Sequence, residues 1–511
     1  MTLSCDLESN RVNELRDLLN LISPKIIDYV SKADPNSSTY EASSLGTFHN
    51  PLDLKKKLVT SDLESAISTD GLKNEEKIAA SGSSLDKVID DVLSLSVNTW
   101  NPGFLDKLYA SNNPIGVISD LILSILNTNS HVYTVSPVLS VLENYIGHKY
   151  ASLIFTDNVE TCGGLTFSGG SWSNVTSLQI ARSLKFPETK ETGNAGHKFA
   201  VYTSKHSHYS VEKAAILLGI GSKNVFKVKI NEDGEMDVKS LEETIQSTLK
   251  DGYTPLYINA TAGTTVFGSY DPFTEIAAIA KKYDIWFHID GSWGGNVVFS
   301  QAHRYKLKGS ELANSFTTNP HKMLGVPTTC SFLLLPHVGH FQKAMSLSAP
   351  YLFHGNNDDE ENFDLADGTM GCGRRADSFK FYMAWLYYGT NGFEERVDHA
   401  FKISKYFIDK IYEISGFELV LGSREKLPAC LQVCFYYKPE HFTELDHTKV
   451  TRYISRKLHS QGKYLVDYSP NPTSQDGKGE FFRVVFNSPI LTNKVIDDLV
   501  ESIVAAGKEV K

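Results

Sequence analysis

Along the middle of the chain, short runs of apolar and β-branched residues alternate with longer stretches whose apolar residues recur at helical spacing. The short runs predict strands, whereas the longer stretches predict amphipathic helices. Strands that alternate with helices indicate a parallel sheet covered on both faces, and such sheets bind ligands at the carboxyl ends of their strands. The predicted strands are HKFAVYTS, NVFKVKI, TPLYINA, DIWFHID and SFLLL.

The stretch DPFTEIAAIAKKY, between two of these strands, predicts a helix with a defined start. Asp271 is a residue type that caps helices. Pro272 suits the first helical position, because the N–H that proline lacks would have no partner there. We therefore expect this helix to begin at Pro272, with Asp271 as its cap.

The two ends of the chain differ from this alternating middle. Residues 1–95 show helical periodicity interrupted by the polar interval 34–51, and the first twenty residues predict an amphipathic helix. After residue 395 the order changes to helix, strand, helix, strand, which predicts a smaller α+β domain. The sequence thus predicts a helical segment over 1–95, a large α/β domain over 96–395 and a small domain over 396–511.

Composition and charge exclude several classes of function. The 511 residues are 41% hydrophobic and 22% charged, and the net charge of −10 comes without a basic stripe, so nucleic acid is not an expected partner. No apolar run approaches the ~18–20 residues of a membrane span, and the N-terminus is unlike a secretory signal. The six cysteines form neither CxxC pairs nor a zinc pattern. We expect no metal site, and reduced thiols in a cytoplasmic protein.

Two charged residues lie where the predicted sheet would present them to a ligand. Asp290 ends the strand DIWFHID, where a carboxylate is costly unless it meets a cation or hydrogen-bond donors. Lys322, in TTNPHKMLG, follows one helix-and-strand unit further along. Lysine forms Schiff bases with carbonyl groups, and partial desolvation lowers its pKa into a useful range. Taken singly, Asp290 could be a turn aspartate and Lys322 an ordinary surface lysine.

Three further strand-to-helix junctions carry residues suited to a cofactor. FSGGSWSNVTSLQ places glycines and hydroxyl groups before a helix, whose N-terminus attracts a phosphate. TSKHSHYS places His206 and His208 where an imidazole could stack on a planar ring, and NATAGTT is a small turn that a cofactor could approach. Ordinary capping, a polar helix start and a tight loop explain each junction equally well. Together with the lysine and the aspartate, however, they match an aldehyde with a ring nitrogen and a phosphate, namely pyridoxal 5'-phosphate.

Several of these segments resemble one enzyme family. NPHKMLG, YINATAGTT, HIDGSWGG, SHYSVEKAA and GGSWSN resemble the pyridoxal-phosphate-dependent group II amino acid decarboxylases, in particular glutamate and cysteine-sulfinate decarboxylases. Further matches in NTNSHVYTVSPVL, CGRRADSFKFYMAW and GEFFRVVFNSP extend the likeness over about residues 96–511. The resemblance implies an α/β chain with the type I, aspartate aminotransferase-like fold and its mainly parallel central sheet. It also implies a homodimer that converts an L-amino acid to an amine and CO2.

The resemblance further implies a role for each matching residue. Lys322 matches the lysine that forms the Schiff base, Asp290 the partner of the pyridinium nitrogen, and His208 the residue that stacks on the ring. Arg483, in FFRVVF, matches the arginine that binds the substrate α-carboxylate, although its strand alone is equally typical of a surface arginine. The remaining matches are Ser173, Asn319 and His321, which would hold the phosphate, and Thr261 and Ala262, which would lie near the cofactor.

The substrate is defined less closely. NPGFLDKL places Lys107 where the branch that acts on acidic substrates has a glutamine, and its cation would pair with a distal carboxylate or sulfinate. We therefore expect glutamate, aspartate or cysteine sulfinate as the substrate. An exposed position on an amphipathic helix is an equally good explanation for Lys107.

One departure from the family pattern leaves several activities open. Relatives carry a tyrosine on a mobile loop after YLF that returns a proton to the substrate carbon. Here the ungapped match is Asp359, in the acidic run NNDDEEN, and no tyrosine precedes Phe363. Another acid such as His208 could supply the proton, or the reaction could divert to oxidative deamination. The sequence is also compatible with a decarboxylase of 2,4-diaminobutyrate or of an aromatic amino acid, and with a cofactor-binding protein of low turnover.

Overall fold

A computed structural model shows the arrangement of most of the chain. The residues that it describes are 11–68, 83–347, 363–470 and 477–511. Asp359 and the acidic run around it lie outside the described residues, as does Cys5. Within the described ranges, no helix combines the length and the apolar character needed to cross a membrane.

The chain forms two compact units. The larger unit contains the middle of the chain and a short return segment, which are residues 108–436 and 483–489. The smaller unit combines segments from both ends of the chain, which are residues 1–107, 437–482 and 490–511. The three-segment division that the sequence pattern indicates stays a prediction.

A seven-stranded sheet forms the centre of the larger unit. Its strands are β1 (Gly163–Phe167), β2 (Phe199–Ser204), β3 (Val225–Val228), β4 (Thr254–Thr261), β5 (Trp286–Gly291), β6 (Ser315–Thr318) and β7 (Ser331–Leu335). Their order across the sheet is β1–β7–β6–β5–β4–β2–β3. All neighbours from β3 to β6 are parallel, whereas β7 is antiparallel to β6 and to β1. The prediction of a mainly parallel central sheet is confirmed.

Both faces of this sheet are covered by apolar side chains. Ala200 and Tyr202 of β2 belong to one cluster of buried residues, whereas Phe199 and Val201 belong to another. Successive residues of a strand point to opposite faces, so the two clusters lie on opposite sides of the sheet. Burial on both faces explains why the strands are nearly continuous apolar runs.

Helices connect these strands and make up much of the smaller unit. The helices of the smaller unit, within the described residues, are α1 (Arg11–Ser31), α2 (Pro51–Leu58), α3 (Ser61–Ser68), α4 (Ser84–Leu95), α15 (Thr448–Ser460) and α16 (Asn493–Gly507). Those of the larger unit are α5 (Pro114–Leu126), α6 (Pro137–Ile154), α7 (Gly170–Lys185), α8 (Thr189–Thr192), α9 (Ser210–Leu217), α10 (Val238–Lys250), α11 (Phe273–Lys282), α12 (Pro320–Met323), α13 (His340–Met345) and α14 (Asp377–Tyr412).

Four further strands form a second sheet. They are β8 (Phe417–Leu419), β9 (Gln432–Tyr437), β10 (Asp467–Pro470) and β11 (Glu480–Val485), in the order β10–β11–β9–β8. The strands predicted from ACLQVCFYY and FFRVVFN are β9 and β11. The helices predicted from SKYFIDKIYEI and VIDDLVESIVAAG lie in α14 and α16. The alternation of helix and strand predicted for the C-terminal part is therefore confirmed.

The five strands predicted from the middle of the sequence are β2, β3, β4, β5 and β7. The sequence pattern missed β1 and β6. β1 (GGLTF) begins with two glycines and β6 (SFTT) has three hydroxyl residues, so neither strand forms an apolar run. Both are nevertheless buried, because their neighbours in the sheet supply the apolar surroundings.

The predicted start of α11 was wrong. The helix begins at Phe273, one residue later than expected, and Pro272 precedes its first turn. Asp271 caps no helix; its carboxylate accepts hydrogen bonds from the backbone N–H groups of Met236 and Thr261, each at 2.7 Å. Burial raises the pKa of Asp271 to about 7. The residue thus ties the end of β4 to a distant turn, which a local cap pattern does not reveal.

Candidate active site

The carboxyl ends of β4, β5 and β6 bring the predicted residues to one edge of the sheet. Asp290 near the end of β5 is in register with Thr261 on β4 and with Thr317 on β6. Asn319 follows β6 directly, and the short helix α12 after it carries Lys322. This is the edge at which parallel sheets bind ligands.

Asp290 is a buried carboxylate with two hydrogen-bond donors. The backbone N–H of Ser292 donates to Oδ1 at 3.0 Å, and Asn174 Nδ2 donates to Oδ2 at 2.8 Å. Burial opposes ionisation of Asp290. The hydrogen bonds from Ser292 and from the Asn174 amide favour ionisation, and the pKa of Asp290 lies below its usual value. Asp290 is therefore ionised and suited to keep a proton on a facing ring nitrogen.

The backbone around Lys322 is held by three side chains. Asn487 Nδ2 donates to the Lys322 carbonyl at 2.7 Å. The carbonyls of the next two residues accept hydrogen bonds from Arg396 Nε at 3.0 Å and from Asn113 Nδ2 at 2.9 Å. All three donors act on backbone oxygens, so they fix the turn that presents the amine and leave the amine itself available.

The amine of Lys322 lies in partly desolvated surroundings. Burial lowers the pKa of Lys322; the charge of Asp290 opposes this shift, and the charge of Arg483 adds to it. A lowered pKa increases the fraction of uncharged amine, which is the nucleophilic form. Lys322 is therefore not an ordinary surface lysine, because it is half-buried and its amine responds to two opposite charges.

The loop between β2 and α9 carries both histidines that the sequence singled out. His208 Nδ1 accepts a hydrogen bond from the backbone N–H of Ser210 at 3.2 Å. Burial lowers the pKa of His208, against the opposing charge of Asp290. Its ring is therefore neutral, as suits stacking on an apolar face. The ring of His206 instead packs on Phe267, with 4.8 Å between the ring centroids.

The N-terminus of α7 forms a polar cradle with the turn before α12. The first turn of α7 carries Ser173, which is fully buried and whose Oγ lies 2.8 Å from Ser331 Oγ. A Cβ on Gly170 would collide with the side chains of Ser292 and Asn319, so only glycine allows this close approach. Backbone N–H groups at a helix start and adjacent hydroxyl groups are the donors that a phosphate requires.

His321 lies beside this cradle and is buried. Its Nδ1 is 2.7 Å from the carbonyl oxygen of Cys330, and burial lowers the pKa of His321 to about 4. The imidazole is thus neutral at physiological pH. The carbonyl contact fixes the plane of the ring.

Thr261 is the last residue of β4 and Ala262 follows it, beside Asp290. The backbone N–H of Ala262 donates to the carbonyl of Asp290 at 2.9 Å, which joins the two strand ends. Thr261 Oγ1 and Asn319 Oδ1 are buried and have no hydrogen-bond partner among the described residues. Buried polar atoms of this kind need a partner, and a polar ligand at the strand ends would supply one.

The two predicted substrate residues lie in different units. Arg483, near the end of β11, is buried in the larger unit, and its Nη1 donates to the carbonyl of Thr265 at 2.9 Å. Lys107 lies in the smaller unit, where its amine is 3.1 Å from the carboxylate of Asp106 and 3.3 Å from that of Asp467. The predicted contact of Lys107 with a distal substrate group stays a prediction.

This arrangement fits pyridoxal 5'-phosphate. A partly desolvated lysine suits the aldehyde, an ionised buried carboxylate suits the ring nitrogen, and a helix start lined with hydroxyl groups suits the phosphate. The unpartnered oxygens of Thr261 and Asn319 leave room for further hydrogen bonds. Across the described part of the chain, no cluster of histidine, cysteine, aspartate or glutamate is arranged to hold a metal ion.

Comparison with known proteins identifies the family. Residues 70–438 match the family model described as the pyridoxal-dependent decarboxylase conserved domain. The chain belongs to the pyridoxal-dependent decarboxylases. The predicted family and the predicted cofactor, pyridoxal phosphate, are thereby confirmed. The protein is an enzyme that decarboxylates an amino acid.

Individual relatives agree with this assignment. The decarboxylase is 45% identical over 507 residues, 98% of each chain, to the L-aspartate decarboxylase dtxS4 of Metarhizium robertsii. The structure of mouse CSAD is similar with a TM-score of 0.85 and 29% identity, covering 97% of this chain and 98% of that one. Oryza sativa TDC with PLP and tryptamine, at 22% identity and a TM-score of 0.83 over 100% and 99% of the chains, shares the fold. The predicted type I fold is confirmed.

Four residues of the decarboxylase site were missed by sequence reasoning. Asn174 lies within the segment GGSWSN, beside Ser173, and its position on the first turns of a helix whose start suits a phosphate was the one available signal. No sequence signal pointed to the three donors that hold the turn at Lys322, because they come from distant parts of the chain. They are Asn113, Arg396 and Asn487.

Proposed function

We propose that the decarboxylase removes the α-carboxylate of L-aspartate and releases β-alanine and CO2. The observation that carries this proposal is the 45% identity, over 98% of each chain, to the L-aspartate decarboxylase of Metarhizium robertsii. Aspartate is one of the three acidic substrates that the sequence favours. The proposal selects the shorter of the two dicarboxylates among them.

Each catalytic group has a defined task in this proposal. Pyridoxal phosphate supplies the electron sink for the carbon that loses CO2. Lys322 would hold the cofactor through its amine, while the ionised carboxylate of Asp290 would keep the proton on the ring nitrogen. His208, neutral because burial lowers its pKa, would stack on the face of the ring. The phosphate would be held by Ser173, Asn319 and His321, with Thr261 and Ala262 beside the cofactor.

Arg483 is proposed to bind the substrate carboxylate next to the reacting carbon. Its guanidinium is buried, and its charge adds to the lowering of the Lys322 pKa, which indicates that both groups belong to one site. A guanidinium fork suits a carboxylate because two parallel hydrogen bonds fix its plane. The charged carboxylate leaves as uncharged CO2. A site with little water favours this step, because it solvates the carboxylate poorly.

A substrate panel tests the proposal. We expect CO2 release from L-aspartate with a kcat/KM at least ~10-fold above that for glutamate or cysteine sulfinate, because one methylene or one altered head group changes binding by about that factor. 2,4-Diaminobutyrate, tyrosine and tryptophan complete the panel, and aldehyde and peroxide are assayed with the amine. Turnover of the diamino acid or an aromatic amino acid alone, or aldehyde as the main product, would contradict the proposal.

The variant Arg483→Leu serves as the internal control of this panel. The α-carboxylate is common to every substrate in it, so loss of Arg483 should lower kcat/KM for all of them by a similar factor of ~10–100. A loss confined to the dicarboxylates would instead place Arg483 at the distal carboxylate. The bound cofactor should remain, which its visible absorption reports.

We also propose that the enzyme is a homodimer, with interfaces formed by the larger unit. Helices α5, α6 and α14 pack on one another and leave many apolar side chains exposed. A group of exposed apolar side chains on neighbouring helices is typical of subunit interfaces. The side chains, each at least 42% exposed, are Ile118, Leu121, Ile125, Leu126, Val138, Val141, Tyr145, Leu386 and Tyr387.

Light scattering coupled to gel filtration tests the dimer. The wild type should elute with about twice the mass of the 56.8 kDa chain. Introducing charges with Ile125→Glu and Leu386→Glu should shift it toward the single-chain mass, because burying an unpaired carboxylate in an interface is costly. Glu substitution of Ile216, an exposed apolar residue on α9, is the matched control. A wild type that elutes as a monomer would refute the proposal.

A cytoplasmic location, predicted from the cysteine pattern, completes the proposal. The cysteines among the described residues are free, and four of them are buried: Cys162, Cys330, Cys430 and Cys434. Free buried thiols are usual for proteins of reducing compartments. Cell fractionation that found the enzyme mainly in another compartment would contradict it.

A further inference from the structure

Alternate residues of β5 place three polar side chains on one face of the sheet. Trp286, His288 and Asp290 are two positions apart, so their side chains point the same way. All three are buried. Helix α7 packs against β5, and its residue Asn174 contacts both His288 and Asp290. A continuous hydrogen-bonded chain therefore runs beneath the cofactor site.

Two groups at the ends of this chain fix the direction of its hydrogen bonds: the indole nitrogen of Trp286 can only donate, and the ionised carboxylate of Asp290 can only accept. Trp286 donates to Ser315 Oγ at 2.9 Å. The hydroxyl proton of Ser315 is then available to Nδ1 of His288, 2.8 Å away. When Nδ1 accepts, the neutral imidazole carries its proton on Nε2. Burial lowers the pKa of His288 to about 4, so the ring is neutral across the working pH range.

The orientation of the Asn174 amide follows in turn. Nε2 of His288 donates to Asn174 Oδ1 at 3.1 Å, which determines which end of the amide is the oxygen. The two protons on Asn174 Nδ2 then point to Asp290 Oδ2 at 2.8 Å and to Ser210 Oγ at 2.9 Å. Both amide protons and the amide oxygen are thus used, and a flip of the amide would turn its oxygen against the carboxylate of Asp290.

We propose that Asn174, oriented by His288 and the Ser315–Trp286 pair behind it, is a positioning residue that holds Asp290 ionised and aligned for the cofactor ring nitrogen. Asn174 does not touch the ring; it acts through Asp290. One oxygen of Asp290 is held by the backbone of Ser292 and the other by Asn174, so the plane of the carboxylate is fixed at both ends. Loss of the amide would free one end.

This inference goes beyond the proposed substrate and does not depend on it, because the cofactor and not the amino acid is the group affected. The test is titration of the apoenzyme with pyridoxal phosphate, followed by fluorescence and visible absorption. We expect Asn174→Ala to bind the cofactor ~10–100-fold more weakly, the usual effect of losing a hydrogen bond to a charged group. Asn259→Ala is the matched control, since Asn259 is a buried amide on β4 that bonds to Thr203 and not to Asp290.

A double-mutant cycle separates positioning from general packing. In an Asp290→Asn background, Asn174→Ala should weaken cofactor binding by less than ~3-fold. The carboxylate on which the Asn174 amide acts is already absent from that background. Full additivity of the two substitutions, or wild-type affinity in Asn174→Ala, would overturn the proposal.

The variant Asn174→Asp decides the case if the alanine variant fails to fold. Aspartate keeps the shape of asparagine but puts a second carboxylate against Asp290. At pH 8 it should bind the cofactor more weakly than wild type by at least ~10-fold, because like charges oppose ionisation of the pair. Wild-type affinity in this variant would show that shape alone matters and would overturn the proposal. Thermal unfolding of each apoenzyme checks that the fold is retained.

Discussion

Replacing Lys322 with alanine is expected to abolish decarboxylation and to remove the covalently held cofactor. We propose that the amine of Lys322, at the carboxyl edge of the sheet, is the group that bonds to the cofactor aldehyde, and alanine offers no atom that could replace it. We expect kcat to fall by at least ~10³-fold, as when the covalent group of other enzymes is removed. The wild type should be yellow, and borohydride reduction followed by peptide mass analysis should find the cofactor on Lys322.

The fold should survive this substitution. The hydrogen bonds that shape the turn go to the backbone carbonyls of Lys322 and the next two residues, and alanine keeps them. Unfolding curves of the variant and of the wild-type apoenzyme should therefore nearly coincide. Lys229→Ala, at an exposed position after β3, is the control and should keep both colour and activity. A reduced adduct on another lysine, or a colourless reconstituted wild type, would refute the assignment of Lys322.

Replacing Glu143 with alanine is expected to cause the largest loss of stability. Glu143, on α6, is fully buried, and Oε1 accepts hydrogen bonds from Arg374 Nη2 at 2.5 Å and from the N–H of Thr166 at 2.8 Å. Ser378 donates to Oε2 at 3.1 Å. Glu143 thus joins α6, β1, the segment before α14 and α14 itself at one point.

Without Glu143, the buried guanidinium of Arg374 would keep only the carbonyls of Ser130 and Thr166. Removing one partner of a buried ion pair costs about 3–5 kcal/mol, because the remaining charge stays out of water without its counter-charge. Urea unfolding of the apoenzyme, followed by circular dichroism, should show this loss as a lower midpoint. The double variant Glu143→Met with Arg374→Met should be more stable than Glu143→Ala, since it leaves no buried charge.

An exposed ion pair provides the matched control. On α14, Lys405 Nζ lies 2.6 Å from Asp409 Oδ1, and the two side chains are 30% and 39% exposed. Asp409→Ala should cost less than ~1 kcal/mol, as solvent screens such pairs. Equal losses in Glu143→Ala and Asp409→Ala would show that the buried pair contributes no more than a surface pair.

Much of the candidate site was predictable, because several of its residues lie next to strands that the sequence itself indicates. The strands β2, β4, β5 and β7 are apolar runs whose burial on both faces makes them stand out from their surroundings. Asp290 follows directly from its position near the end of β5, and Lys322 from the segment TTNPHKMLG one helix-and-strand unit further along, although β6 itself was missed. Parallel sheets bind ligands at the carboxyl ends of their strands, so a sequence that shows the strands also shows where a cofactor site is expected.

What the sequence determined by itself is therefore the class of fold and the cofactor, together with the lysine and the aspartate that we propose hold it. Only the tertiary structure decided which side chains hold these groups in place. Asp271 does not cap the helix as predicted; it accepts hydrogen bonds from the backbone N–H groups of Met236 and Thr261. Asn174 contacts Asp290, which lies 116 positions further along the chain. No periodic pattern in the sequence marks such hydrogen-bond partners. A hydrogen bond between distant segments depends on how helices and strands pack, and not on the neighbouring residues in the chain.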